Sequence, residues 1–394
     1  MALLIQQRVE RTGAAERPPA RRAFESAAVC VDCVVCGSAR SRLVCPAAEM
    51  AAQRRYLTAF YRRRWRAHNA ETAADRLSFT QDYTTDIVRC ADCGLVYRNP
   101  RPRTDAIMQA YRRDRYDDAY LRAEFANQRA WARRKLPELA RHLRPLPGRR
   151  PRVLEVGSFV GGLLAEGRER GWEMFGVDPG DEVTSFCRAN GLPVFHGTLE
   201  QADLQRDSFD AVVVWNTFDQ LPDPHPTLEA AVGLLRDGGA LAIRIPNGAC
   251  FSWTMEMLPR LPRGLRAGLY TALAWNNLLT FPYVHGYTRE AITALAAAYG
   301  FRRRACLPDT LLPPPRDHVK RWARLEARCY AWLFRAGWQA AATERFACAP
   351  WLDLYFERAA AEHPPAPAAA DSGLGLIPVY APLALRQTGL DRPA

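Results

Sequence analysis

Lysine is almost missing from this chain of 394 residues: Lys135 and Lys320 are set against a combined Lys and Arg count of 54. Positive charge therefore rests on arginine, and the formal net charge is +12. Guanidinium groups pair bidentately with phosphate and carboxylate, so an anionic partner is one implication. The arginines are spread along the chain rather than massed in one patch. Together with the Ala and Pro excess, they match a GC-rich coding sequence.

A secretion signal is also lacking. The apolar start Met1 to Ile5 is too short and has no basic region before it. Long apolar runs are missing too. The one long uncharged stretch, Ala267 to Val284, contains Asn276, Asn277 and Pro282, which make it a poor membrane span. It reads instead as a buried or substrate-covering helix. The 11 cysteines are odd in number and follow no signal, which argues against a disulfide framework and for a reducing compartment, the cytoplasm.

The chain is long enough for two or three domains. Residues 1–25 are Arg-, Ala- and Pro-rich without apolar periodicity and are expected to be disordered, as is the Pro- and Ala-rich stretch 363–394. Residues 26–103 hold a cysteine-rich module with a basic insertion. Residues 104–148 read as linking helices with aromatic residues at loosely helical spacing, and residues 149–362 alternate strands and helices. Arg152–Val156, Glu173–Asp178, Pro193–His196, Phe209–Trp215 and Gly239–Ile245 are continuously apolar strands separated by helical segments. That βαβα rhythm predicts an α/β fold with a parallel sheet covered on both faces. Thr288 to Tyr299 reads as a helix ended by Gly300, with Phe301–Leu307 and Trp351–Phe356 as final strands.

Val153-Leu-Glu-Val-Gly157-Ser-Phe-Val-Gly161-Gly162 is a strand running into a glycine turn that opens a helix. The bare turn lets backbone approach a ligand, and the helix start offers free N–H groups. Asp178 ends the next strand about twenty residues on, where an acid can accept hydrogen bonds from a ribose diol. NAD and S-adenosylmethionine both carry that diol. Glu155, just before the glycines, would repel a pyrophosphate but suits the cationic amino end of S-adenosylmethionine.

Cys33-Val-Val-Cys36-Gly37 and Cys90-Ala-Asp-Cys93-Gly94 are two CxxC knuckles, each followed by the glycine a tight turn needs. Four such thiolates suit structural zinc and leave no open position for catalysis. Cys30 and Cys45 are possible substitute ligands, and redox pairs are the alternative, though neither CxxC precedes a helix in a thioredoxin-like unit.

Glu155-Val-Gly-x-x-x-Gly161, Gly176-Val-Asp-Pro179, Ser208-Phe-Asp-Ala-Val-Val-Val-Trp-Asn-Thr-Phe-Asp-Gln-Leu-Pro-Asp-Pro224 and Leu234-Leu-Arg-Asp-Gly-Gly239 resemble the successive motifs of class I S-adenosylmethionine-dependent methyltransferases. The resemblance implies a Rossmann-like seven-stranded sheet with an antiparallel last strand. It implies that Glu155, Gly157 and Gly161 surround the methionine part of the cofactor and that Asp178 holds the ribose. By the same resemblance Leu199 in Gly197-Thr-Leu-Glu200 flanks the adenine, and Asn216 lies near the sulfonium. The knuckles, with Arg89-Cys-x-x-Cys-Gly-Leu-Val-Tyr-x-Asn-Pro-Arg-Pro102, are similar to the N-terminal zinc-ribbon-like module of a bacterial subgroup that includes carbon methyltransferases acting on nucleotide-linked deoxysugars. The insertion between the knuckles departs from that pattern.

Methyl transfer chiefly requires alignment of the acceptor, with a base where the attacking atom must lose a proton. Many members of the family carry a Glu-His pair after the fourth strand, where this chain has Asp219 and Gln220. His285, in the aromatic loop Phe281-Pro-Tyr-Val-His-Gly-Tyr287, is the candidate base, with Tyr283 and Tyr287 orienting an acceptor or packing. His225 reads as a loop residue, and Asn276 and Asn277 as bonding a polar acceptor or facing water. The expected acceptor is a small molecule such as a sugar or secondary metabolite. Two rivals stand beside it. Arg54-Arg-Tyr56 and Tyr61-Arg-Arg-Arg-Trp-Arg66 interleave cations with aromatics, as an RNA methyltransferase would, or form a solvated helix with one aromatic face. A non-catalytic zinc-ribbon binding protein with a degenerate nucleotide fold is the other. The sequence says nothing of oligomeric state.

Overall fold

The computed structural model describes residues 28–66, 84–113, 116–311, 314, 318–340 and 349–359. The two expected tails, 1–25 and 363–394, lie outside the described residues.

Seven strands form one sheet: β6 (Arg152–Val156), β7 (Glu173–Asp178), β8 (Val194–His196), β9 (Phe209–Trp215), β10 (Leu235–Pro246), β12 (Phe301–Asp309) and β13 (Trp351–Arg358). Their order is β12-β13-β10-β9-β6-β7-β8. The five central and far-edge strands run parallel, while β13 runs antiparallel to both β10 and β12. β9 is buried along its whole length, as a strand covered on both faces must be. One face meets helix α9 (Arg289–Ala298) through Ile292 and Leu295. The other meets α3 (Asp118–His142) through Ala132, Leu136 and Leu139.

The cysteine module is a second sheet. β2 (Ser41–Cys45), β3 (Ile87–Cys90) and β4 (Val96–Arg98) pair antiparallel, and a fourth strand comes from far along the chain. This is β11 (His285–Gly286), whose His285 and Gly286 pair with Tyr97 and Val96. A short pair, β1 (Ala28–Val29) with β5 (Arg101–Pro102), closes the module. Module and large sheet belong to one structural unit ending at Ala359.

The insertion between the knuckles forms helix α1 (Ala47–Arg64). Its Met50, Leu57 and Phe60 are buried against Leu273 and Trp275 at the end of α8 (Arg263–Ala274). Tyr56, Tyr61 and Trp65 join the same cluster, with Trp65 stacked on Trp275 at 5.5 Å. The aromatic residues of the basic segment are thus spent on packing, and Arg64 is paired with Glu326 at 2.6 Å. Residues 67–83 of the insertion lie outside the described residues.

The uncharged stretch from Ala267 departs from expectation: its helix stops at Ala274, and the chain then runs irregularly and mostly buried to Val284, with Asn277 exposed to water. Asn276 explains the stop. It is 2 % exposed, donating from Nδ2 to the Ala272 carbonyl and accepting the Leu311 N–H at Oδ1. It neither faces water nor is free for an acceptor.

Candidate active site and candidate metal centre

The ends of β6, β7 and β9 converge at the glycine turn. Gly157 has φ of 72°, and a Cβ there would lie 2.4 Å from Thr217 Oγ1, so two loops meet over a space only glycine leaves. Gly161 caps the N-terminus of α4 (Gly162–Glu169). Asp178 accepts the Phe159 N–H at Oδ2 (2.8 Å) and the Gly180 N–H at Oδ1 (2.9 Å). These bonds tie the turn to the end of β7 and leave each oxygen a second lone pair. Burial still raises the Asp178 carboxyl above its usual range.

Glu155 is 6 % exposed, and its Oε2 has no partner among the described residues. Burial, helped by the charge of Asp178, pushes it well above the ordinary carboxylate range. A buried acid left so is costly unless a cation or donor arrives. The donor set therefore fits a ligand with a cationic group, as the amino acid end of S-adenosylmethionine is. Leu199 is buried just beyond β8, and Asn216 sits at the end of β9 in the left-handed region, φ 58°.

The segment 104–148, expected as linking helices, packs onto this site. Tyr116 packs edge-on to Phe159 at 5.3 Å, and Gln128 Oε1 accepts the Gly162 N–H. Tyr111 donates to Gln220 Oε1 at 2.9 Å. Its loosely helical aromatic spacing was the only signal, and spacing does not say which surface such a helix covers.

On the acceptor side the structure brings Asp219, His285 and Tyr287 together. Asp219 lies in the turn Phe218–Gln220, 1 % exposed, with neither carboxylate oxygen hydrogen-bonded among the described residues. Burial raises it to about 7. Tyr287 packs on Phe218 at 5.2 Å between ring centres, its hydroxyl likewise without a partner, and burial with the Asp219 charge holds it in the neutral form. His285 is 5.7 Å from Tyr287 between ring centres. Burial and the Arg101 guanidinium, 3.4 Å from Nε2, hold its imidazole well below the usual value. A histidine so placed is neutral at physiological pH and a weak base.

The cysteine module grips this loop. Arg98 donates from Nε to the Pro282 carbonyl (2.6 Å) and from Nη2 to that of Thr280 (2.7 Å). Arg101 reaches the Pro222 carbonyl at 2.9 Å. His225, read from sequence as a loop residue, instead opens helix α6 (His225–Leu234) and ties the two parts together. Its Nδ1 meets the Tyr299 hydroxyl at 2.6 Å and its Nε2 the Val34 carbonyl at 2.8 Å. A contact with Val34, 191 residues away, is invisible to local pattern.

Cys33, Cys36, Cys90 and Cys93 place their four Sγ atoms within 4.8 Å of one another. Cys33–Cys93 and Cys36–Cys90 are 3.4 and 3.5 Å apart. Four ligands at about 2.3 Å from a tetrahedral ion would be about 3.8 Å apart, so the cluster fits one. Cys33 and Cys93 share a hydrogen bond that holds the Cys93 thiol below the usual thiol range, while burial holds that of Cys36 above it. Cys30 is exposed and outside the cluster, and Cys45 is buried elsewhere, pushed up to about 12 by burial.

The methyltransferase-domain family matches residues 109–305, half of the chain. The chain belongs to the S-adenosylmethionine-dependent methyltransferases. A ubiquinone biosynthesis O-methyltransferase of Alkalilimnicola ehrlichii is 30% identical over 223 residues, covering 50% of this chain and 86% of that protein. One from Hahella chejuensis is 31% identical over 132 residues, covering 29% of this chain and 54% of that protein. This chain thus spans about half the length of several curated relatives it matches. Among solved structures, an S-adenosylmethionine-dependent methyltransferase from Thermotoga maritima aligns at 17% identity and a TM-score of 0.37, covering 60% of this chain and 90% of that one. The methyltransferase's cofactor is S-adenosylmethionine.

Proposed function

We propose that this methyltransferase alkylates a small-molecule acceptor, a sugar or secondary metabolite, with Asp219 as the base. The observation that carries the assignment is Asp219 itself, buried with both oxygens unpartnered beside the neutral Tyr287 hydroxyl. Bound S-adenosylmethionine supplies an electrophilic methyl group. Glu155, Gly157 and Gly161 hold its amino acid end, Asp178 its ribose, Leu199 its adenine, and Asn216 lies toward the sulfonium. Asp219 takes the proton the acceptor gives up, and Tyr287 orients the acceptor by hydrogen bonding. With its depressed basicity, His285 positions that pair from the strand that pairs with Tyr97 of β4.

The small-molecule reading rests on the relatives, which are ubiquinone biosynthesis O-methyltransferases. It also rests on the use of Tyr56, Tyr61 and Trp65 in packing rather than in stacking with bases. Cys33, Cys36, Cys90 and Cys93 hold one structural zinc ion, which needs the reducing cytoplasm to stay bound. Incubation with methyl-labelled S-adenosylmethionine and a metabolite extract tests the proposal. Label should enter a small molecule with the wild-type protein and fall about 10²–10⁴-fold with Asp219→Asn. Label in RNA, or full transfer by the variant, would overturn it.

A further inference from the structure

Helix α10 (Arg321–Ala340) turns an apolar face outward. Trp322, Leu325, Trp332 and Leu333 are 44, 63, 66 and 53 % exposed, far beyond what scattered surface residues show. At 100° per residue these four, with the exposed Cys329, fall on one stripe about 100° wide. The opposite face is the packed one: Ala323 and Ala327 are buried, and Tyr330 joins them against the α1–α8 cluster. The stripe is therefore not the inward side of the helix.

Charge is sorted just as strictly. Between Arg321 and Ala340 the sequence has four arginines and a single acid, Glu326. Glu326 is turned inward, where its Oε2 accepts from Arg64 Nε (2.6 Å) and Trp275 Nε1 (2.9 Å). Arg321, Arg328 and Arg335 follow one another at seven-residue spacing, exposed along one flank of the stripe. Arg63 of α1 lies over the Trp322 ring at 5.7 Å and extends the cationic rim across to the next helix. The outward face is thus tryptophan and leucine bordered by guanidinium, with no carboxylate from this helix to oppose it.

We propose that this face docks on an anionic phospholipid surface. Interfacial binding by a helix needs an apolar face holding Trp and Leu, a cationic border for the headgroups, and no requirement to span. No helix among the described residues is long and apolar enough to cross a membrane, so α10 lies on the surface rather than through it. A second protein copy would set this cationic border against its own like charge in a two-fold contact. The lipid surface is favoured because it supplies the opposite charge.

The test is sedimentation of the full chain with vesicles of phosphatidylcholine alone and of phosphatidylcholine mixed equally with phosphatidylglycerol. The protein should pellet with the anionic vesicles, its tryptophan emission shifting to the blue, and should stay in solution with neutral ones. Trp332→Glu with Leu325→Glu should abolish pelleting while leaving S-adenosylmethionine affinity and the melting temperature unchanged. Arg321→Gln, Arg328→Gln and Arg335→Gln should weaken binding by about fivefold each, less at high salt. Equal binding to both vesicle types, unchanged pelleting of the glutamate variant, or a concentration-dependent dimer lost in that variant without any vesicle binding would each overturn the proposal.

Discussion

Asp219 and Asp178 are both buried acids, but their surroundings set them to different tasks. Asp178 is fixed by two backbone N–H groups and closes the glycine turn. Asp178→Ala should weaken S-adenosylmethionine binding by about 1.5–3 kcal/mol, measured by calorimetry, and unchanged affinity would reject its role. Asp219 has no such donors, and burial alone raises it to about 7. Turnover should therefore climb as pH rises through about 7, as the base form appears, and Asp219→Asn should flatten that profile. The stability effect has the opposite sense. A carboxyl whose folded pKa exceeds its unfolded value, about 3.9, destabilises the fold as pH climbs between the two. At pH above about 7 the Asn variant should melt higher, by about 1–1.5 °C per kcal/mol recovered. A variant that is inactive and also less stable at high pH would point to packing instead.

Among the elements, the two-residue strand at His285 has the widest consequences. It is the edge of the cysteine module's sheet and the start of the segment that carries Tyr287. His285→Ala should leave cofactor affinity intact, lower the melting temperature and reduce turnover less than Asp219→Asn does. Near-total loss of turnover with an unchanged melting temperature would instead make His285 the base. His225 joins the same parts from the other side, through Tyr299 and Val34. Replacing it with Ala breaks both bonds and should cost about 1–3 kcal/mol in denaturant unfolding.

For the molecule as a whole, one buried ion cluster and one cluster of four cysteines bring distant segments together. Arg244 of β10 is fully buried between the Trp131 and Trp351 rings and bonds Asp353 at 2.5 Å and Asp309 at 2.6 Å, with Lys135 of α3 completing the group. Burial opposes ionisation of Asp309, but the Arg244 and Lys135 charges outweigh it and hold its carboxyl below the usual range. Its contribution is full above the unfolded pKa and fades as pH falls through the lower folded value. Arg244→Met strands the two carboxylates and should destabilise the protein by about 3–5 kcal/mol, whereas a loss under 1 kcal/mol would mean the cluster relaxes. At the cysteine cluster, metal analysis should find about one zinc per chain. Cys90→Ser with Cys93→Ser should lose the metal and the order of the cysteine module together. A metal-free protein with an unaltered melting curve would refute the zinc assignment.

Local pattern was enough for the parallel strands, the glycine turn with Asp178, and the two knuckles. Continuous apolar runs, left-handed glycines and CxxC spacing are properties of neighbouring residues, and each survives into the fold with boundaries moved by a residue or two, except that β10 begins four residues before Gly239. Helix α9 likewise begins and ends where Thr288 and Gly300 place it. Only tertiary structure decided what lies against what. The aromatic residues of α1 could serve a nucleic acid or a core, and α8 being opposite decided for the core. Asn276 was claimed by Ala272 and Leu311, and His225 by Val34, through contacts far apart in the chain. The proton affinities of Asp219 and His285 belong to this level as well. Burial and nearby charge set them, and neither is a property of a residue's neighbours in sequence.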